Sequence, residues 1–272
     1  VAMTLIPEPI STSLVKANKR LKKLNILATL LLISTCLFCY LAYSALYAVN
    51  AAKENRYQSY LLSEQLRLSS DQLTLMARAY TVTGDDKYLD FFNQILAIRD
   101  GKQARPEHYQ WVYWDLLMPK SGKPPFADGQ AESLNSLMKK AGFTELEFEQ
   151  LAKAKNESDA LAKIEQHAFR AIEQAFNSVD NDFHQQHIST ISSLYSEDYL
   201  IAKAKIMTHI NVFYQLQAQR AEQTIALLTW RHHLMTAMTG ICAVLVMLCL
   251  LGSYRIRSKT YQSLIQHVER AE

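Results

Sequence analysis

Hydrophobic and charged positions are distributed so unevenly along the chain that they divide it before any motif is read. Leu24 to Ala52 and Leu234 to Tyr254 contain no Asp, Glu, Lys, Arg or His, runs of 29 and 21 residues. A helix needs roughly 20 apolar residues to cross a bilayer core of about 30 Å, so each run is long enough. We expect transmembrane helices at 24–48 and 234–254. Beyond the first, apolar residues recur at Leu62, Leu66, Leu73, Met76 and Tyr80, steps of 4, 7, 3 and 4 that follow heptad spacing. No Pro or Gly falls between Pro9 and Gly84. Helix is therefore expected to run unbroken from Leu24 to Thr83, about 90 Å at 1.5 Å per residue.

The stop falls at Thr83-Gly84-Asp85-Asp86, where Gly supplies a left-handed C-terminal residue and an Asp can cap the next helix. Tyr88, Phe91, Phe92, Ile95 and Ile98 then predict a second amphipathic helix ending near Asp100-Gly101. Further helices are expected at 129–141, at 144 to about 179 with a capping box in Thr144-Glu145-Leu146-Glu147, and at 195–232. That last helix continues into the second apolar run. Between them, Arg105 to Gly129 interleaves four prolines with His108, Tyr109, Trp111, Tyr113, Trp114 and Phe126. So many aromatics point to an ordered cap rather than a linker.

No polar/apolar alternation is long enough for a sheet, so the expected fold class is all-α: two transmembrane helices flank an extracytoplasmic up-and-down helical bundle with an aromatic-rich inserted cap. The bundle takes in residues 49–231, residues 1–23 form a cytoplasmic tail, and residues 255–272 begin a signalling coiled coil through Tyr261, Leu264 and Val268.

Charge fixes the expected orientation. Lys16, Lys19, Arg20, Lys22 and Lys23 precede the first run, and Arg255, Arg257 and Lys259 follow the second, which places both termini in the cytoplasm. The net charge of +3 therefore follows from topology, and no nucleic-acid partner is needed to explain it. The first run is longer than the roughly 7–15 apolar residues of a cleaved signal core, so an uncleaved signal anchor is the expectation. All four cysteines, Cys36, Cys39, Cys242 and Cys249, lie in the runs and read as small apolar side chains rather than as zinc ligands.

For a ligand, the cap offers Tyr109, Trp111 and Trp114 as flat apolar faces beside Arg105, His108 and Asp115. In this view Trp114→Ala and Arg105→Ala remove ligand response and leave the fold intact. The alternative is that Trp111 and Trp114 seal the end of the bundle. Asp180-Asn181-Asp182-Phe183-His184-Gln185-Gln186-His187 gathers metal-ligand types, but lacks the Gly and closing Glu of a calcium loop and a third ligand at fixed spacing, so it reads as a solvated helix end or loop. Trp230, Arg231, His232 and His233 suit a membrane-interface belt. No catalytic set, nucleotide-binding glycine loop, cofactor motif or metal site can be assembled.

Arg78-Ala79-Tyr80-Thr81-Val82-Thr83-Gly84-Asp85-Asp86-Lys87-Tyr88-Leu89 resembles the helix-turn-helix signature of four-helix extracytoplasmic sensor regions of bacterial transmembrane receptors, found on histidine kinases, chemoreceptors and diguanylate cyclases. The resemblance implies a dimeric inner-membrane receptor whose outer bundle senses a small molecule or a periplasmic protein and whose spans pass the stimulus to a cytoplasmic output domain. Kinase, cyclase and chemoreceptor output signatures are absent from these residues, so the chain is expected to be the N-terminal input portion. Arg255 to Glu272 lacks the early proline of the usual HAMP connector, which favours a histidine kinase or cyclase output over a chemoreceptor one. A complete membrane scaffold binding a periplasmic partner is the rival reading. Arg78, inside the turn motif, is a further ligand candidate, with pairing to Asp85, Asp86 or Asp90 as the structural alternative; Arg67, with Asp71, lies on the same helix.

Overall fold

The computed structural model describes residues 8–177 and 183–269. These residues form α1 (Glu8–Thr83), α2 (Asp86–Arg99), α3 (Trp114–Leu117), α4 (Leu134–Lys140), α5 (Glu145–Asn177), α6 (Phe183–Ser193) and α7 (Glu197–Glu269). Among them no strand occurs, and Pro106 with Asp128 makes one isolated bridge. The protein is all-helical, and divides into two compact units, residues 1–51 with 224–272, and residues 52–223.

In the first unit, the most apolar eighteen residues of each long helix are only 6% and 11% buried. A core helix of a soluble protein would hide such a stretch. Here Leu30, Ile33, Val244 and Leu250 are all more than half exposed. Both helices are long and apolar enough to cross a membrane, the character of a membrane protein. The positions that are buried carry small side chains, Ala28, Ala45, Val49, Cys242, Cys249 and Ser253, which allow helix backbones to approach closely. Ser253 Oγ donates to Asn25 Oδ1 at 3.4 Å, and His232 Nδ1 lies 3.1 Å from the Ala42 carbonyl oxygen.

In the second unit, Gly84 ends α1 with φ +62°, and its N–H donates to the Tyr80 carbonyl at 2.8 Å. Asp85 caps α2 by accepting from the Lys87 N–H at 3.2 Å. Leu73, Met76 and Tyr80 of α1 join Phe92, Ile95 and Ile98 of α2, Phe169 and Ile172 of α5, and Tyr199, Ile206 and Ile210 of α7 in one apolar cluster. A second cluster gathers Leu134, Met138, Phe143 and Phe213, with the Phe143 and Phe213 rings stacked at 5.6 Å. Each fully buried side chain of this size contributes about 1.5–3 kcal/mol.

Three boundaries differ from the sequence pattern. Among the described residues helix is present from Glu8 onward, ahead of Leu24. The element expected over 129–141 shrinks to α4: Ser133 accepts from the Ser136 N–H and starts the helix there. The element expected from 195 begins at Glu197, where Ser196 Oγ accepts from the Tyr199 N–H at 3.2 Å, and it is preceded by α6, which the pattern did not show. The cluster Asp180-Asn181-Asp182 lies outside the described residues.

Candidate functional site

The aromatic segment after α2 is held by backbone rather than by regular helix. Gly101 takes φ +75°, and a Cβ there would collide with the Ser133 backbone nitrogen and meet the Glu132 carbonyl carbon at 2.9 Å, so the chain leaves α2 through a point that only glycine fits. Arg105 and Gly129 then pair across the segment, Gly129 N–H to Arg105 carbonyl at 2.8 Å. His108 adopts φ +52°, the one left-handed non-glycine residue among those described.

This geometry splits the candidate residues into two groups. Trp114 is 1% exposed, donates Nε1–H to the Tyr109 hydroxyl at 2.9 Å, and packs against Phe91, Tyr109 and Tyr113. Burial pushes the Tyr109 phenol up to about 12, against the opposing Trp114 bond and the Arg105 charge. The Arg105 guanidinium lies 5.8 Å from the Tyr109 ring centre and donates Nη1–H to Gln65 Oε1, while its Nε and Nη2 are buried with no partner. Burial lowers its pKa. On the other side, His108 stacks on Trp111 at 4.2 Å, with Phe126 edge-on to both, and Trp111 stays 59% exposed. Asp115 is exposed and belongs to neither group. Trp114 is therefore a core side chain, and Trp114→Ala is a folding variant rather than the clean ligand-site variant expected from sequence.

Arg78 lies elsewhere. Its Nε and Nη2 donate to the Leu194 carbonyl at 3.2 and 3.0 Å, and its guanidinium sits 4.2 Å from the Tyr195 ring and 5.4 Å from that of Tyr199. The pairing with Asp85, Asp86 or Asp90 gives way to this contact because the α6–α7 turn brings a helix-end carbonyl to α1. Arg67 pairs with Glu64 and, at 2.8 Å, with Asp71. His187 Nε2 lies 2.8 Å from the Thr81 carbonyl oxygen. Among the described residues no three His, Cys, Asp or Glu side chains are placed to hold a metal ion.

A pocket of about 210 Å³ opens in the same unit, and the sequence did not reveal it. Leu66, Leu134, Met138, Leu151, Ile206 and Ile210 make its walls. Arg99, Asp100, Lys155, Ser70, Asn135 and Ser158 supply polar edges. The burial of Arg99 lowers its pKa, opposed through space by Asp100 and Asp159. Both of those carboxylates are engaged by lysines, Asp100 by Lys102 at 3.4 Å and Asp159 by Lys155 at 2.7 Å. In sequence Arg99 reads as a basic residue favourable at a helix C-terminus, and only the tertiary structure shows that it borders a cavity.

No protein-family model, curated protein or solved structure matches the chain.

Proposed function

We propose that the chain is the sensory input and membrane-anchoring region of a bacterial transmembrane signal-transduction receptor, of the sensor histidine kinase type, with residues 52–223 outside the cytoplasm and both ends inside it. In this reading residues 49–231 are an up-and-down bundle capped by the aromatic segment. The observation that carries it is that α1 and α7 each contain a span-length apolar stretch and, in the same unbroken helix, side chains of the core of residues 52–223. A stimulus acting on that core can then reach the spans by helix displacements of about 1–2 Å. The turn resembling that of the sensor family, Arg78 to Leu89, forms the α1–α2 connection. α7 runs as helix through Arg255 to Glu269, which suits a plain helical connector to an output domain.

A parallel homodimer is supported by a second stripe on α1. Leu61, Leu68, Leu75 and Val82 recur every seventh residue apart from the buried positions, and Leu75 and Val82 are 47% and 48% exposed. The test uses alkaline phosphatase fused within residues 120–123 or after Glu272, with Leu75→Cys in the full chain in membranes. The first fusion is expected to be active and the second inactive, and Leu75→Cys to cross-link as a dimer. An active fusion after Glu272, or no Leu75→Cys dimer, overturns the reading.

A further inference from the structure

The pocket bordered by Arg99 combines features that together specify a ligand. It is not a sealed packing defect, since Arg99, Lys155, Asp100, two hydroxyls and an amide line it together with aliphatic side chains, two cations against one carboxylate. Among the described residues Arg99 makes no hydrogen bond or ion pair, and the two carboxylates whose charge reaches it are already held by Lys102 and Lys155. A partly buried guanidinium without a fixed protein partner is open to a ligand that supplies charge-assisted bonds. A planar, two-oxygen anion provides them, because the guanidinium fork presents parallel N–H groups at carboxylate spacing. The cavity's size limits the rest of the molecule. About 210 Å³ exceeds the roughly 150 Å³ that accepts benzene in an engineered apolar cavity, leaving room for one ring, or an equivalent short branched chain, and one charged head.

We propose that this pocket binds a small organic monocarboxylate with an apolar body of about six carbons, its carboxylate on Arg99 and its body against Leu66, Met138, Leu151 and Ile206. The inference deepens the receptor reading by naming a ligand class. It rests on that reading for the consequence of binding but not for the binding itself, so the two fail separately: topology and cross-linking decide the receptor, and ligand titration decides the pocket.

The test is calorimetric titration of the full chain in lipid nanodiscs with benzoate at neutral pH, with empty nanodiscs as the blank and benzamide as a neutral molecule of nearly the same shape. Benzoate is expected to bind saturably at one site per chain, and benzamide about tenfold to hundredfold more weakly, the difference between a charge-assisted and an absent ion contact. Arg99→Gln is expected to weaken benzoate by a similar factor and to bring it level with benzamide. Ser158→Leu, which fills the cavity from α5 and leaves Arg99 in place, is expected to abolish binding of both. Absence of saturable benzoate binding to the unaltered chain overturns the proposal. So does benzamide binding as tightly as benzoate, or benzoate binding unchanged in Ser158→Leu; that last variant decides the matter should Arg99→Gln fail to fold.

Discussion

Replacing Arg220 by Ala should expose how the start of α5 is tied to α7. Glu147 is a fully buried carboxylate. One oxygen closes the capping box, accepting from the Thr144 N–H at 2.5 Å and the Thr144 hydroxyl at 2.9 Å, and the other accepts from Arg220 Nε at 3.0 Å. The Arg220 guanidinium also lies 5.5 Å from the Phe143 ring, which stacks on Phe213. Removing one partner of a buried pair costs about 3–5 kcal/mol. Because the Arg220 side chain is 28% exposed, water reaches that end of the pair, and the lower figure of about 3 kcal/mol applies. Glu147→Gln keeps a capping side chain and removes the charge, so alone it should cost about 1–2 kcal/mol. In the Arg220→Ala background the same change should restore stability, since it neutralises the stranded charge. The assay is thermal unfolding of the four chains of this cycle in nanodiscs, read at about 2–4 °C per kcal/mol for a domain of this size. If Glu147→Gln costs the same with and without Arg220, the coupling is zero. The pair is then no more than a screened surface bridge of about 0–1 kcal/mol, and the buried-charge argument fails.

Three further outcomes follow from the same packing. Trp114→Ala should destabilise by about 3–5 kcal/mol, and Trp114→Phe, which keeps most of the volume and loses only the bond to Tyr109, by about 1–2 kcal/mol; equal melting points for the two would show that Trp114 is not a core residue. Glu165 is buried and accepts from the Tyr199 hydroxyl at 2.8 Å, and burial raises its pKa above 4.5 against the opposing Tyr199 bond and the Lys203 and Arg78 charges. The native state therefore favours protonated Glu165, a contribution complete below pH 4.5 and lost as pH rises through the raised folded value; Glu165→Gln should gain stability relative to the unaltered chain as pH rises, and parallel melting curves from pH 4.5 to 8 would refute this. Gly101→Ala should cost more than Gly142→Ala: both take positive φ, worth about 1–2 kcal/mol, but only Gly101 abuts backbone, at Ser133, whereas nothing lies within 4 Å of a Cβ at Gly142. Comparing the two melting points separates collision from conformational preference.

What could be read in sequence was what neighbouring residues decide among themselves. The uncharged runs announced two span-length apolar helix stretches, Gly84 and Asp85 announced the α1–α2 turn, and Thr144 with Glu147 announced the start of α5, because each signal is complete within its own stretch of chain. The pattern overlooked α6 because no Gly or Pro separates it from α7, the break being made by the Ser196 cap. A spacing of three makes Trp111 and Trp114 look alike in sequence. That spacing places two side chains on one face only in a helix, and helix here begins at Trp114, after a segment bent by the left-handed His108. The outcome is one buried ring and one exposed ring. The pocket was hidden for a different reason: its walls come from α1, α2, α4, α5 and α7, and no local window contains two of its sides.

That distribution of walls is what joins the pocket to the proposed function. Leu66 and Ser70 belong to α1, and Ile206 and Ile210 to α7, the two helices that also carry the span-length apolar stretches. Next to the pocket, Ser70 accepts from Lys203 of α7 through both its carbonyl and its hydroxyl, at 2.7 and 2.9 Å, and Thr74 accepts from the same ammonium at 3.0 Å. Burial lowers the Lys203 pKa, and Asp71, 3.3 Å away, acts against that shift. The α1–α7 contact at this level thus adds to the apolar packing of Leu66 and Leu73 with Tyr199 and Ile206 one cation that has several nearly equivalent acceptors. The polar part of that contact tolerates a small shift of one helix along the other, since a bond given up to one acceptor is recovered at another. A ligand touching both helices then biases their arrangement by its difference in affinity for the two positions. With couplings of about 1–3 kcal/mol typical of allosteric proteins, a small monocarboxylate can supply that difference without remaking the core.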